Sequence, residues 1–520
     1  MRSRRIAAVL LLLAAPALLA DAPGVYAITG GTVHPVSGPA IPDGVVVIRG
    51  GLIETVGANA TVPADASIVE AKNAHVYPGL IDAQTSMGFT APGKDASEPT
   101  PDYVALRNVK LSDDDMDARR RTGVTTIVTA PAYGIFNGQS AILNLGSGPV
   151  ESRVIKSPAA LQIGFNPRPT WTWPDSLMGV MAFLRQTFLD AQQYVEAREI
   201  YERTPAGLKR PQENPGLDAL RPVLRRELPV VFIADSDNMM RRAQSLAREL
   251  GVRVILSGAR QGYVAPQQWD DVPMLVSVKW PVAPDDKEDR EDQPLRVIRD
   301  RQLAPTTPAE FAKNGVTFAL VSGAGKSGDF IPGIRKAIEN GLSADDALRA
   351  TTLTPARIFG VDRQLGSLER GKIANVVISD KPLFDKDAKV TRVFVDGREI
   401  RLPAEEEKKD EKKTDATAAA ASAIDGTWNL TVREPQGSVA INVTLRAESG
   451  RLTGTFSGDR GSGDIRTGTF DGTSFDFTIN AQNEAEASDW MFRGKLDGDT
   501  MNGTVTTTLG SFEFSGSRSK

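Results

Sequence analysis

The chain contains no cysteine and only two histidines among its 520 residues. Without cysteine there is no disulfide, no thiolate ligand, no thiol nucleophile and no attachment point for a lipid at a processed leader. Two imidazoles, His34 and His75, fall short of the histidine-rich set that usually holds a hydrolytic metal. Charge of one sign is scarce as well. The 61 basic and 65 acidic residues give a formal charge of -4, so no broad positive field draws nucleic acid or an anionic membrane. The apolar run near the N-terminus falls short of the roughly 20 residues that cross a bilayer as a helix. Small molecules and protein partners are the ligands that these absences leave.

What is present begins with a leader. The opening MRSRRIAAVLLLLAAPALLADA sets basic residues before an apolar run and ends in small residues, the layout of a secretory signal with cleavage after Ala22. Ser3-Arg4-Arg5 also admits the twin-arginine route, although the very apolar middle favours the general one. A periplasmic or secreted protein with no transmembrane segment is the expectation.

Residues 403 to 423, PAEEEKKDEKKTDATAAAASA, have no apolar periodicity with which to offset the entropy of ordering, and read as a disordered linker. Residues 424 to 520 alternate polar and apolar residues between Ser-Gly, Asp-Gly and Gly-Ser turns; about eight short strands fit, with Phe475, Phe477 and Ile479 on one face. That pattern predicts a small antiparallel barrel or sandwich, with packing favoured over ligand holding as its role. Between residues 77 and 360 helical stretches alternate with short apolar strands such as LPVVFIAD, VILSG and GVTFALVSG, of which seven can be placed. Parallel strands joined by crossover helices, closed as a distorted TIM-type (β/α)8 barrel, are the economical reading. Ser343 with Asp346 makes a capping box, and Thr354-Pro355 is read as the start of the next helix. The β-rich flanks, residues 23 to 76 and 361 to 402, are expected to pair as one small β-sandwich.

This arrangement, with NAHVYPGLIDAQTS, GVTTIVTAPAYGIFNGQSAIL and LTPARIFGVDRQLGSLERGKIANVVISD in order, resembles the amidohydrolase superfamily, nearest its imidazolonepropionase-like branch, over roughly residues 26 to 401. The resemblance implies a barrel with one or two metal ions, usually zinc. Their ligands are an H-x-H from the first strand, a lysine or acid from the fourth, histidines from the fifth and sixth, and an aspartate from the eighth. Such a set leaves a position where water is acidified for attack on a carbon–nitrogen bond. Carried onto this chain, the H-x-H falls on Gln84 and Ser86, the fifth-strand histidine on Ile233 or Asp235, the sixth on Ser257 and the aspartate on Gly323. No fourth-strand ligand is found, and no cofactor is expected.

Other features are weighed against plainer roles. Asp82 matches a structural hydrogen-bonding aspartate of active relatives, which leaves Asp235 as the one new carboxylate. GAGKSGDF, residues 323 to 330, follows a strand like a phosphate loop, yet Leu320 stands where that loop needs its first glycine. Trp171, Trp173 and Met178 line a cleft or cover an apolar patch, with packing favoured. The acidic runs at residues 113 to 117 and 285 to 294 suit a helix N-terminus and a solvated loop. His34 and His75 fall at the far end of the barrel from its mouth and read as structural. The resulting expectation is a metal-free pseudoenzyme, a binding partner or subunit in an oligomer with an intact relative. Two alternatives stay open: a hydrolase of non-peptide carbon–nitrogen bonds or small peptides working around Asp235, Gln84 and Ser257, and a ligand-binding protein using the barrel mouth or the C-terminal domain.

Overall fold

The computed structural model describes residues 24–89, 100–168, 172–269, 271–284, 293–323, 329–402 and 424–519 except for short turns in the last stretch. The leader, the linker at 403–423, Trp171 and most of the acidic run at 285–294 lie outside the described residues, as do residues 324–328 of the glycine-rich loop.

Residues up to 402 are organised around a closed ring of strands. Seven of its staves run parallel: Leu80–Thr85, Val124–Thr129, Leu161–Ile163, Val230–Ala234, Val254–Gly258, Met274–Ser277 and Phe318–Val321. The ring closes where Thr85 bridges Gly323, with Gly323 N donating to Gln84 O at 3.0 Å. The eighth stave differs from the expected parallel strand. Phe136–Gln139 runs on into Ala141–Asn144 and pairs antiparallel with both of its neighbours. The cause is the short link at residues 130–135. A parallel return needs a crossover of about a dozen residues or more, whereas a short link forces the chain straight back beside the strand it has just left.

Side chains along each stave alternate between two environments, as the twofold period of a strand dictates. Leu80, Leu161, Phe232, Leu256, Met274 and Leu320 point out into the packed layer of helices. Ile81, Val128, Ile142, Val231, Ile255, Leu275 and Ala319 point in and fill the ring with a separate apolar cluster. The interior is therefore a packed floor, and only the polar residues above it are available for chemistry.

The flanks form one curled mixed sheet and not two stacked ones. His75–Pro78 joins Val376–Ser379 antiparallel, and Tyr26–Val33 continues the sheet to Ile41–Arg49 and Leu52–Gly57. The roll is held where Ile53 N donates to Lys372 O at 2.8 Å and Ala374 N to Gly51 O at 2.9 Å. Gly397 is required there, since a Cβ would lie 2.5 Å from Gly51 Cα. Ser343 caps Ala344–Ala350 by accepting from Asp346 N at 3.0 Å and donating to its carboxylate at 2.6 Å, as its sequence foretells. The next helix, Leu353–Ile358, begins just ahead of Thr354-Pro355.

The C-terminal unit is an antiparallel barrel. Gly426–Glu434, Gly437–Glu448, Arg451–Gly458, Thr467–Phe470, Ser474–Gln482, Ala487–Asp497, Thr500–Thr507 and Gly510–Arg518 close on themselves through pairings of the first strand with the last. Gly461–Asp464 adds a short ninth strand against Arg451–Gly458. Trp428, Trp490, Phe475, Phe477, Ile479, Phe492 and Phe514 are buried in one core, with Phe477 stacked on Phe492 at 4.8 Å between centroids. Trp428 Nε1, the polar atom of that side chain, donates to Ile424 O at 2.9 Å.

Candidate functional site

The mouth of the ring lies at the C-terminal ends of its parallel staves. There Ile233 is in register with Ser257, Ser277 with Val321, and Thr85 with Gly323. Ile233 rather than Asp235 thus holds the inward position on the fifth stave. Ser257 is buried, and Gly323 has a left-handed backbone, φ +62°, with Ser277 Oγ 3.1 Å from where its Cβ would be. A side chain restored at Gly323 would be strained by its backbone as well as crowded.

The structure also supplies what sequence reading left blank on the fourth stave. Gln162 lies between Leu161 and Ile163, both of which face outward, so it faces in. It is wholly buried; its Nε2 donates to Ser140 Oγ at 3.2 Å, while its Oε1 has no partner among the described residues. Asn137, on the antiparallel stave paired beside it, is 1% exposed and both of its amide atoms are without a partner among the described residues. Gln84 Oε1 is buried and unpaired in the same way. One clue was present in the sequence: a glutamine between two apolar residues of a three-residue stave. Nothing marked Asn137, because the antiparallel turn of its strand was not foreseen.

Two carboxylates flank the mouth without entering it. Asp82, wholly buried, accepts from Arg119 Nη1 at 2.9 Å and from Ser322 N at 3.0 Å, and Ser322 Oγ also donates to it. Burial pushes its carboxyl upward, against the opposing pull of Arg119 and the Ser322 donors. It locks the first stave, the last stave and the helix Asp113–Arg121 together, which is a structural role. Asp235 lies at the partly exposed rim and pairs with Arg260 at 3.1 Å. Its carboxylate accepts from Arg260, and no hydrogen bond from Ser257 to it occurs among the described residues, so Asp235 does not serve Ser257 as a base there.

The two histidines are far from this. His34 Nε2 and His75 Nδ1 are 3.1 Å apart, and His34 stacks on Tyr77 at 4.4 Å. They sit where the flanking sheet feeds into the start of the first stave. Burial and the neighbouring His75 lower the His34 pKa, partly opposed by Asp345.

A hydrolytic zinc takes imidazole and carboxylate donors, and the inward positions hold Gln84, Gln162, Ile233, Ser257 and Gly323, with Ser86 at the loop beyond the first stave. Among the described residues no three histidines, aspartates or glutamates converge. These side chains do not fit the metal.

The comparisons with known proteins agree on the scaffold. The model of the "Amidohydrolase family" matches residues 304–400. An amidohydrolase from Thermotoga maritima MSB8, known as a crystal structure, superimposes with a TM-score of 0.64 at 23% identity, over 72% of this chain and 99% of that one. The family match is confined to residues 304–400, and the likeness to the solved structure is one of fold. An adenine deaminase of Clostridium botulinum (strain Loch Maree / Type A3) is 38% identical over 64 residues, 12% of this chain and 10% of that protein. The chain thus spans about a tenth of the length of the curated relatives it matches. The matched segments report the fold, and the inner face of the ring has to speak for the chemistry.

Proposed function

We infer that this amidohydrolase-fold protein is an exported, non-hydrolytic member that acts as a binding partner or subunit of an active relative. The observation that carries the reading is the character of the inward mouth residues: two amides, a hydroxyl, an alkyl group and bare backbone where a metal and a general base would be needed. Amide and hydroxyl oxygens are weak zinc ligands. Gly323 offers no group to take a proton from water. Loss at every position removes metal affinity, water activation and base catalysis together, and no single replacement elsewhere among the described residues restores them.

The packed floor and the Asp82–Arg119–Ser322 lock keep the scaffold rigid, which suits a protein that must present a surface or hold a ligand without turning it over. Unpaired amide atoms in the ring support the ligand-holding version of this reading, since each buried orphan costs about 1–3 kcal/mol until water or a ligand satisfies it. The test is to assay the full chain alone, with and without added zinc or manganese, on a panel of amides, cyclic imides and dipeptides, and then mixed with a histidine-complete relative from the same cell envelope. No metal-dependent turnover alone, with a change in the relative's stability or rate on mixing, is the expected result. Metal-dependent turnover by the chain alone overturns it and favours the hydrolase around Asp235, Gln84 and Ser257.

A further inference from the structure

We propose that the exposed face of the long helix Leu177–Arg203 is a dimer interface, on which a second copy of this chain packs antiparallel about a twofold axis at Leu189. The helix buries Val180, Leu184, Phe188 and Ala191 against the layer that surrounds the ring. On the side turned away from that layer, the helical period aligns Met178, Ala182, Leu189, Glu196 and Ile200 in one stripe. Three of these are large, apolar and open to solvent: Met178 is 81% exposed, Leu189 54% and Ile200 42%. A lone exposed apolar residue is ordinary, whereas three in line opposite the buried face form a patch. Met178, read from the sequence as packing, is the most exposed of the three.

The order of the residues chooses the partner. Met178 and Ile200 lie eleven residues to either side of Leu189, about three turns each way. A half-turn about an axis through Leu189 therefore sets each Met178 on the second copy's Ile200, and Leu189 on its own equivalent. The same operation brings Ala182 against Glu196 and Arg185 against Gln193, so no like charges meet along the seam. A parallel pair in register would instead set Arg185 on Arg185, Glu196 on Glu196 and Arg203 on Arg203. Such like-charge contacts are repulsive, and they exclude that arrangement.

At its two ends the antiparallel seam gains an attraction. Asp175, just ahead of the helix, and Arg203, its last residue, lie fourteen residues from Leu189 on either side, about four turns. Both are exposed. Asp175 has no hydrogen-bond or ion-pair partner among the described residues, and Arg203 donates only through Nε, to Glu199 O at 3.3 Å, which leaves its two Nη groups for a carboxylate. The twofold places each Asp175 beside the second copy's Arg203. From Met178 to Ile200 the seam is about 33 Å long. One helix from each copy, with polar residues between the apolar contacts, lies at the low end of the roughly 1,200–2,000 Å² that specific complexes bury, so the dimer is expected to dissociate at micromolar concentration. The face lies outside the ring, and the outcome is independent of how the mouth is read.

The test is sedimentation equilibrium of the full chain from micromolar to submillimolar concentration, where a monomer–dimer equilibrium is expected. Leu189→Glu sets two carboxylates together on the axis and should raise the dissociation constant about tenfold or more. Asp175→Arg and Arg203→Asp should each weaken the dimer, and the variant carrying both should recover it. Because the chain has no cysteine, an introduced one reports the register. With oxidised glutathione as the oxidant, Leu189→Cys is expected to link to itself, whereas Ile200→Cys links only when mixed with Met178→Cys. The melting temperature of each variant controls for folding. A chain that stays monomeric throughout, a dimer untouched by Leu189→Glu in a folded protein, a double charge exchange that does not recover, or Leu189→Cys that does not link overturns the proposal.

Discussion

The ring of the amidohydrolase-like fold and the C-terminal barrel are both closed sets of strands, and their inner faces treat polarity in opposite ways. The barrel is filled with tryptophan and phenylalanine, and the indole nitrogen of Trp428 is bonded to a backbone carbonyl. The ring has an apolar floor, but above it Gln84, Asn137 and Gln162 leave buried amide atoms without a partner among the described residues. A protein that needed only stability from both would gain by replacing those amides with hydrocarbon. The difference teaches where unsatisfied polarity is kept: buried amide atoms without a partner among the described residues lie in the ring, whereas the barrel interior is an apolar cluster.

The sharpest way to break the comparison is to remove mass from each ring. Phe492→Ala takes a stacked ring out of the barrel and is expected to cost about 3–5 kcal/mol, enough to lose the barrel's own unfolding transition in calorimetry. An effect under about 1 kcal/mol would mean that the barrel is loosely filled. Arg119→Met leaves Asp82 buried without its partner and should destabilise the ring body by a similar 3–5 kcal/mol, read from denaturant unfolding. Gln162→Leu should behave differently. Ser140 Oγ keeps its own bond to Ala160 O at 3.2 Å, and an orphan carbonyl disappears, so the melting temperature should stay level or rise, by no more than about 1–2 kcal/mol in stability. A large loss in that variant would show that the amide is satisfied by something structural.

The smallest expected effect concerns pH. His34 in the folded protein takes up a proton less readily than an ordinary imidazole because of burial and His75. In the unfolded chain it titrates near the ordinary value of about 6.5, so on acidification the unfolded state binds the proton first and stability falls as pH drops through that value, levelling off below the folded one. Because His34 is partly exposed, the fall should be no more than about 1 kcal/mol. Melting curves between neutral and mildly acid pH check this, and His34→Asn should flatten them; an opposite slope would mean that the pair is stabilised by protonation.

Most of the scaffold could be read from residue pattern. Seven staves, the pairing of the flanks across the chain, the Ser343 cap and the shared face of Phe475, Phe477 and Ile479 all follow from period, caps and turn residues. What could not be read was set by chain geometry and not by residue type. The antiparallel stave depends on a link too short for a crossover, and its reversal is what turns Asn137 inward. The curl of the flanking sheet depends on the close approach of Gly51 and Gly397. At the mouth, motif spacing proposed Gln84, Ser257 and Gly323, whereas the choice between Ile233 and Asp235 needed strand register, and Gln162 needed the knowledge that its neighbours face out.

The central proposal is that the described residues at the mouth of this ring offer no donor set for a hydrolytic metal. Elemental analysis of the untagged full chain, purified without chelators and after equilibration with zinc and manganese, tests it most directly. The account predicts far less than one transition metal per chain and no shift in melting temperature with added metal. About one bound ion per chain, with ordered density against Gln84, Ser86 or Ser257, would contradict it.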